Sequence, residues 1–159
     1  MSQHNLEQRL NYLEACEAIR SLIGRYATAA DQRNNPEILQ YLFHEDAVWS
    51  ANGFGEYRGR QNILNALSNI AEAEVLWSLH IMAMPDINIL DDKCAVVTWM
   101  LWEICHLADK TQNQIRPAVT SCLGGFYKTE VSRNEIGEWK FDRVELNLTF
   151  NRPYPNQSI

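Results

Sequence analysis

The sequence predicts an α+β domain in which N-terminal helices pack on a strongly curved, mainly antiparallel sheet. Three observations carry this reading. Apolar residues at Leu6, Leu10, Leu13, Cys16, Ile19, Ile23, Tyr26 and Ala30 recur at the three-to-four spacing of one buried helix face. From Leu76 onward the chain consists of long strand-like segments separated by short polar turns. Gly124-Gly125 falls inside one of these segments, and paired glycines permit a bulge or a sharp bend in a strand. Helices gathered before a run of strands segregate to one face of an antiparallel sheet. A curved sheet closed by a helix encloses an apolar interior.

The elements follow in order. The first helix is expected from about Leu6 to Arg33, with Asn34 and Asn35 at its stop. Asn35 also suits an N-cap for a short second helix, with Pro36 at its first position and Glu37 to Leu42 as its body. His44-Glu45-Asp46 reads as a turn, Ala47 to Ser50 as the start of a strand, and Asn52-Gly53 with Gly55 as a tight connection to a short strand, Glu56 to Arg58. Gly59 opens a third helix with apolar positions at Ile63, Leu64, Leu67, Ile70 and Ala71. Strands are expected over Leu76 to Met84, stopped at Pro85; over Cys94 to His106, apolar on both faces and therefore central; over Val119 to Arg133; and over Trp139 to Phe150. Asp91-Asp92, Asp109 to Asn113 and Asn134 to Gly137 read as the turns between them. The chain reads as a single domain over residues 1–159, with 151–159 a tail, and shows no internal repeat or linker.

Composition narrows the function. With 159 residues, 46% of them hydrophobic and 21% charged, the chain can bury a substantial core and is not of disordered composition. A net charge of −6 without a Lys/Arg run argues against nucleic acid and anionic membrane as partners. No apolar stretch is long enough to span a bilayer, and MSQHNLEQRL lacks the apolar core of a signal peptide, so a cytoplasmic protein is expected. Cys16, Cys94, Cys105 and Cys122 have no CxxC spacing and sit in apolar settings, as structural free thiols do. His4, His44, His80 and His106 form no HxH or HxxxH pair, and no glycine-rich phosphate loop occurs. Neither metal nor cofactor is expected.

Strand alternation tells which side chains share a face. His80 travels with Leu76, Ser78, Met82 and Met84; Glu103 with Val97, Trp99, Leu101 and Cys105; Arg143 with Trp139, Phe141 and Asn147. Each is an ionisable group on an otherwise apolar face, where desolvating an ion costs several kcal/mol. Tyr26 lies on the apolar face of the first helix, and Asp31 follows where that pattern ends, a position the helix dipole disfavours for a carboxylate. One reading is a buried Glu103–Arg143 ion pair with His80 as a core histidine and Asp31 in a solvated loop. The other is one polar cluster inside an apolar pocket.

The segments IRSLIGRYATAADQRN and LFHEDAVWSANGFGEYRGRQNIL, the lone His80 in a strand, and the hairpin GGFYKTEVSRNEIGEWKF resemble the SnoaL-like group of the NTF2-like superfamily. That group includes polyketide cyclases and is similar to scytalone dehydratase and the bile acid 7α-dehydratases. The resemblance covers nearly the whole chain. It implies a cone-shaped α+β barrel and a homodimer or homotrimer. It also implies Tyr26, Asp31 and His80 as the reactive cluster. Glu103 and Arg143 fall where the bile acid type places an acid and an arginine, although an aspartate is expected where Glu103 stands. The expected activity is that of a lyase or isomerase. His80, oriented by Asp31, removes a proton next to a carbonyl, and Tyr26 steadies the enolate oxygen or protonates a leaving hydroxyl. Glu103 and Arg143 hold a polar end of the substrate, and Trp49, Phe54, Trp99, Trp102 and Phe126 are candidates for the apolar wall. The expected ligand is a small apolar molecule with a carbonyl or hydroxyl, of steroid, terpenoid or polyketide type. The fold also hosts non-catalytic binders, scaffolds and small subunits of ring-hydroxylating dioxygenases, which remain alternatives.

Overall fold

The computed structural model describes residues 3–73, 75–107 and 119–154. Helix α1 (Gln3–Asp31) does not bury one face along its whole length, as the periodicity suggests. Ala15, Ile19, Leu22, Ile23, Tyr26 and Ala30 are buried, whereas Leu6, Leu10 and Leu13 are more than half exposed, because only the C-terminal half is covered by the rest of the chain. The helix closes on itself where the two asparagines predicted a stop. Asn34 N–H donates to the Ala30 carbonyl at 3.3 Å and Asn35 N–H to that of Ala29 at 2.9 Å, with Arg33 and Asn34 left-handed at φ 60° and 52°. Asn35 then caps α2 (Pro36–Leu39), its side chain accepting from Glu37 N–H at 2.9 Å.

Six strands form one sheet in the order β2-β1-β6-β5-β4-β3. They are β1 (Phe43–Ala51), β2 (Gly55–Arg58), β3 (Val75–Ile89), β4 (Cys94–Leu107), β5 (Val119–Arg133) and β6 (Trp139–Pro153). Helix α3 (Arg60–Ala73) joins β2 to β3. Every pairing is antiparallel except β1 with β6. The sheet is curved and unclosed, and the helices lie on its inner face.

Four strand expectations are corrected. His44, Glu45 and Asp46 lie inside β1, where an irregularity in register between Phe43 and Val48 accommodates them. Pro85 does not stop β3. The strand is at the sheet edge, so the missing N–H breaks no ladder, and a register shift between Ala83 and Asp86 with Met84 at φ 55° absorbs the ring. β4 is not buried on both faces: Ala95, Val97, Trp99, Leu101, Glu103 and Cys105 are buried, while Thr98, Met100 and Trp102 face outward. β6 continues past Phe150, with Asn151, Arg152 and Pro153 opposite Leu123, Cys122 and Ser121. The turn expected at 109–113 and the rest of the tail, 155–159, lie outside the described residues.

β6 carries two bulges, and they control which side chains reach the interior. Phe141 pairs Val131 and Arg143 pairs Glu130, leaving Asp142 extra; Leu148 pairs Gly125 and Phe150 pairs Gly124, leaving Thr149 extra. Each extra residue reverses the alternation, so the inner set runs Trp139, Phe141, then Val144, Leu146, Leu148, then Asn151. The glycine pair is where β5 and β6 crowd. A Cβ on Gly125 would meet the Asn147 carbonyl and Leu148 Cα, and one on Gly124 would meet the Phe150 ring.

The core fills the space between this inner face, α1 and α3. Its centre is aromatic: Tyr26 stands edge-on to Phe43, Tyr127 and Phe141 at centroid distances of 6.1, 6.0 and 5.5 Å. Such pairs add about 0.5–1.5 kcal/mol each beyond their area burial. Among the described residues no helix is long and apolar enough to cross a membrane.

Candidate active site

The open end of the core is a cavity of about 130 Å3 lined mostly by apolar side chains from α1, α3 and five strands. Its lining runs from Tyr26 to Leu107. His80 and Glu103 face each other across the β3–β4 ladder and both line it.

Asp31, the last residue of α1, stands behind His80. Its Oδ1 accepts two hydrogen bonds from that one residue, from the backbone N–H and from ring Nδ1, each at 2.8 Å. An ionised carboxylate only accepts, so the proton of this contact belongs to Nδ1 and the lone pair of the neutral ring sits on Nε2. Nε2 turns to Glu103, 3.4 Å from Oε2. A lone pair and a carboxylate at that distance repel, so the contact is favourable only when one of the two holds a proton. The His80 and Glu103 side chains are 12% and 11% exposed. Burial pushes the Glu103 carboxyl above the usual range, opposed by the His80 ring and by a hydrogen bond from Cys105. Burial likewise pushes the Cys105 thiol up to about 12, which leaves it protonated and unreactive.

Tyr26 closes the cluster. Its oxygen accepts from Trp49 Nε1 at 2.8 Å, and the Tyr127 ring stands edge-on beside the Tyr26 ring at 6.0 Å. Burial pushes the Tyr26 pKa up to about 12, so the phenol keeps its proton at neutral pH. The oxygen already accepts from Trp49, and a phenol that keeps its proton can still donate one hydrogen bond.

The structure thus brings together Tyr26, Asp31, His80 and Glu103, with Trp49 and Phe54 on the cavity wall. Four candidates lie elsewhere. Arg143 is turned away by the Asp142 bulge and sits 3.9 Å from Glu56 on β2. Trp102 and Phe126 occupy outward positions of β4 and β5, 47% and 55% exposed. Trp99 faces inward but lies deeper, in the core, stacked on Tyr127 at 4.9 Å. Sequence reasoning missed Arg33, Tyr127 and Asn151 as lining residues. Tyr127 shares the parity of Val131 and was open to alternation; Asn151 was not, because the Thr149 bulge moves it inward. Among the described residues no group of three or more His, Cys, Asp or Glu is arranged to hold a metal ion.

A family model for SnoaL-like domains matches residues 11–145. The chain belongs to the SnoaL-like family. Several solved structures share the fold of this SnoaL-like domain. Hexachlorocyclohexane dehydrochlorinase LinA-type3 from Novosphingobium barchaimii superposes with a TM-score of 0.82 at 18% identity, over 95% of this chain and 97% of that one. A protein provisionally named a scytalone dehydratase, from Novosphingobium aromaticivorans, gives 0.75 at 27% identity over 92% of each chain. An NTF2-like superfamily protein from Salmonella enterica serovar Typhimurium gives 0.71 at 17% identity, over 89% and 93%. No curated protein sequence matches the chain.

The raised Glu103 pKa predicts a sign for stability against pH. A carboxyl whose folded pKa exceeds its unfolded value stabilises the fold while protonated, and this contribution is lost as pH rises through the folded pKa. Glu103→Gln keeps the neutral shape. It is expected to gain in melting temperature relative to the parent as pH rises from about 4.5 to about 8, starting from the unfolded glutamate range. A difference that does not change with pH would contradict the assignment.

Proposed function

We propose that this SnoaL-like domain catalyses β-elimination from a small carbonyl compound, most simply loss of water. The observation that supports it is the Asp31–His80–Glu103 chain, with Nδ1 fixed on one carboxylate and Nε2 facing the other beside an apolar cavity. In this reading His80 Nε2 takes the proton next to the carbonyl, and the C–H electron pair passes into the enolate. Tyr26 donates to the developing oxyanion. Protonated Glu103 gives its proton to the departing hydroxyl as the C–O bond breaks and the double bond forms. Imidazolium and carboxylate are then left 3.4 Å apart, and transfer of the proton from one to the other restores the starting state.

Cavity size limits the substrate. About 130 Å3 is close to the roughly 150 Å3 cavity that accommodates benzene, so the space as it stands suits one six-membered ring and not the four rings of a steroid. The dehydrochlorinase described above is named for removing hydrogen chloride from a substituted six-membered ring. A suitable probe is 3-hydroxycyclohexanone, whose dehydration gives an ultraviolet-absorbing enone. His80→Gln and Tyr26→Phe are each expected to lower kcat by about a hundredfold or more while the fold and ligand binding persist. Full activity in both variants would contradict the mechanism. Binding without turnover in the parent protein would favour a carrier.

We also propose that the protein is a homo-oligomer. Trp77, Leu79, Ile81, Met100, Trp102 and Phe126 form an exposed apolar stripe on the outer face of β3–β5, the kind of surface that supports self-association. Sedimentation at micromolar concentration should show a dimer or trimer, and a monomer would contradict it. Four thiols without a disulfide suit a reducing, cytoplasmic setting.

A further inference from the structure

The cavity has two chemically different ends. From Glu103 to Leu107 it follows four residues of β4, about 13 Å at strand spacing. The inner end carries the carboxylates and the imidazole. The other is bounded by Val75 and Leu107, which pair across the β3–β4 ladder. Arg33 belongs to this outer end. It lines the cavity, and its Nη2 reaches the Ala71 carbonyl, four residues before Val75, at 3.4 Å.

That bond is long and uses one of five guanidinium donors. Among the described residues no carboxylate lies within ion-pair distance of Arg33. Asp31 and Glu103, the nearby acids of the site, are both engaged with His80. Arg33 is also held in place. Its backbone is left-handed at φ 60°, and the next residue, Asn34, ties the same turn to α3 through its amide on the Leu67 carbonyl at 2.9 Å. A glycine or asparagine would adopt that backbone more readily than arginine, so the conformation gives no reason for the side chain that is there.

We propose that Arg33 is a specificity determinant that anchors an anionic group of the ligand, a carboxylate or an equivalent oxyanion, at the cavity mouth. The inference rests on the elimination reading above and adds the substrate class: an apolar ring bearing a short acidic arm. The arrangement also sets direction. An anion is attracted to Arg33 at the outer end, so the neutral, reacting part of the molecule is the part that enters toward His80. A guanidinium matches a carboxylate bidentately, whereas lysine would supply charge without the fork.

The test needs no turnover. Calorimetric titration compares 4-phenylbutyrate with 4-phenyl-1-butanol, which share a ring and chain and differ in the charged end. The parent protein is expected to prefer the acid by about tenfold, and this preference should shrink as salt is raised, because the site is open to solvent. Arg33→Gln should remove the preference while leaving affinity for the alcohol unchanged, and Arg33→Lys should keep part of it. Equal affinity of the parent for both probes, or an equal loss of both in Arg33→Gln, would overturn the anchor and leave the His80 chemistry standing. Failure of the parent to bind either probe would overturn the ligand cavity and the anchor with it. The parent's own preference and its salt dependence decide the matter even where a variant folds poorly.

Discussion

One carboxylate oxygen organises this structure. Asp31 Oδ1 accepts both the backbone N–H and the ring Nδ1–H of His80, and so joins the end of α1 to the edge strand of the sheet. Both partners would be worse off without it. An aspartate in the last turn of a helix is opposed by the dipole. An edge strand leaves outward N–H groups without ladder partners. The two local disadvantages cancel in a single contact, and the contact fixes the ring tautomer. Everything proposed about Nε2, Glu103 and the cavity depends on that fixed ring.

The same logic explains how a buried glutamate is tolerated opposite it. Glu103 costs desolvation energy, and the pair with His80 offsets that cost only when a proton lies between them. A well-packed apolar residue at that position would serve stability at least as well. The residue therefore makes sense as chemistry and not as glue. Tyr26 shows the converse: its ring is part of the aromatic centre of the core, and its hydroxyl is held by Trp49 at no further structural cost.

What could be read from the sequence follows from which rules are local. The spacing from Ile19 to Ala30 gave the inward face of α1, and the asparagines gave its stop, so Tyr26 and Asp31 were legible before any fold was known. His80 and Glu103 were legible because β3 and β4 stay in register between them. Arg143 was misplaced because alternation was counted through Asp142, where β6 has one residue more than β5. No sequence signal marks that bulge, which shows only in the pairing of β6 with β5. Trp102 is a different case, since Trp99 and Trp102 have opposite parity on one strand and cannot share a face. Arg33 was hidden in a polar run that reads equally well as a loop.

The measurement that tests the central claim most directly is the tautomer of His80. Nitrogen-15 spectra of histidine-labelled protein distinguish a protonated from an unprotonated ring nitrogen. For neutral His80 the account requires the proton on Nδ1, with the Nδ1–H signal shifted downfield by the Asp31 carboxylate and lost in Asp31→Asn. A neutral ring protonated on Nε2 would leave Asp31 with the backbone donor alone and no lone pair facing the cavity, and would contradict the account at its first step.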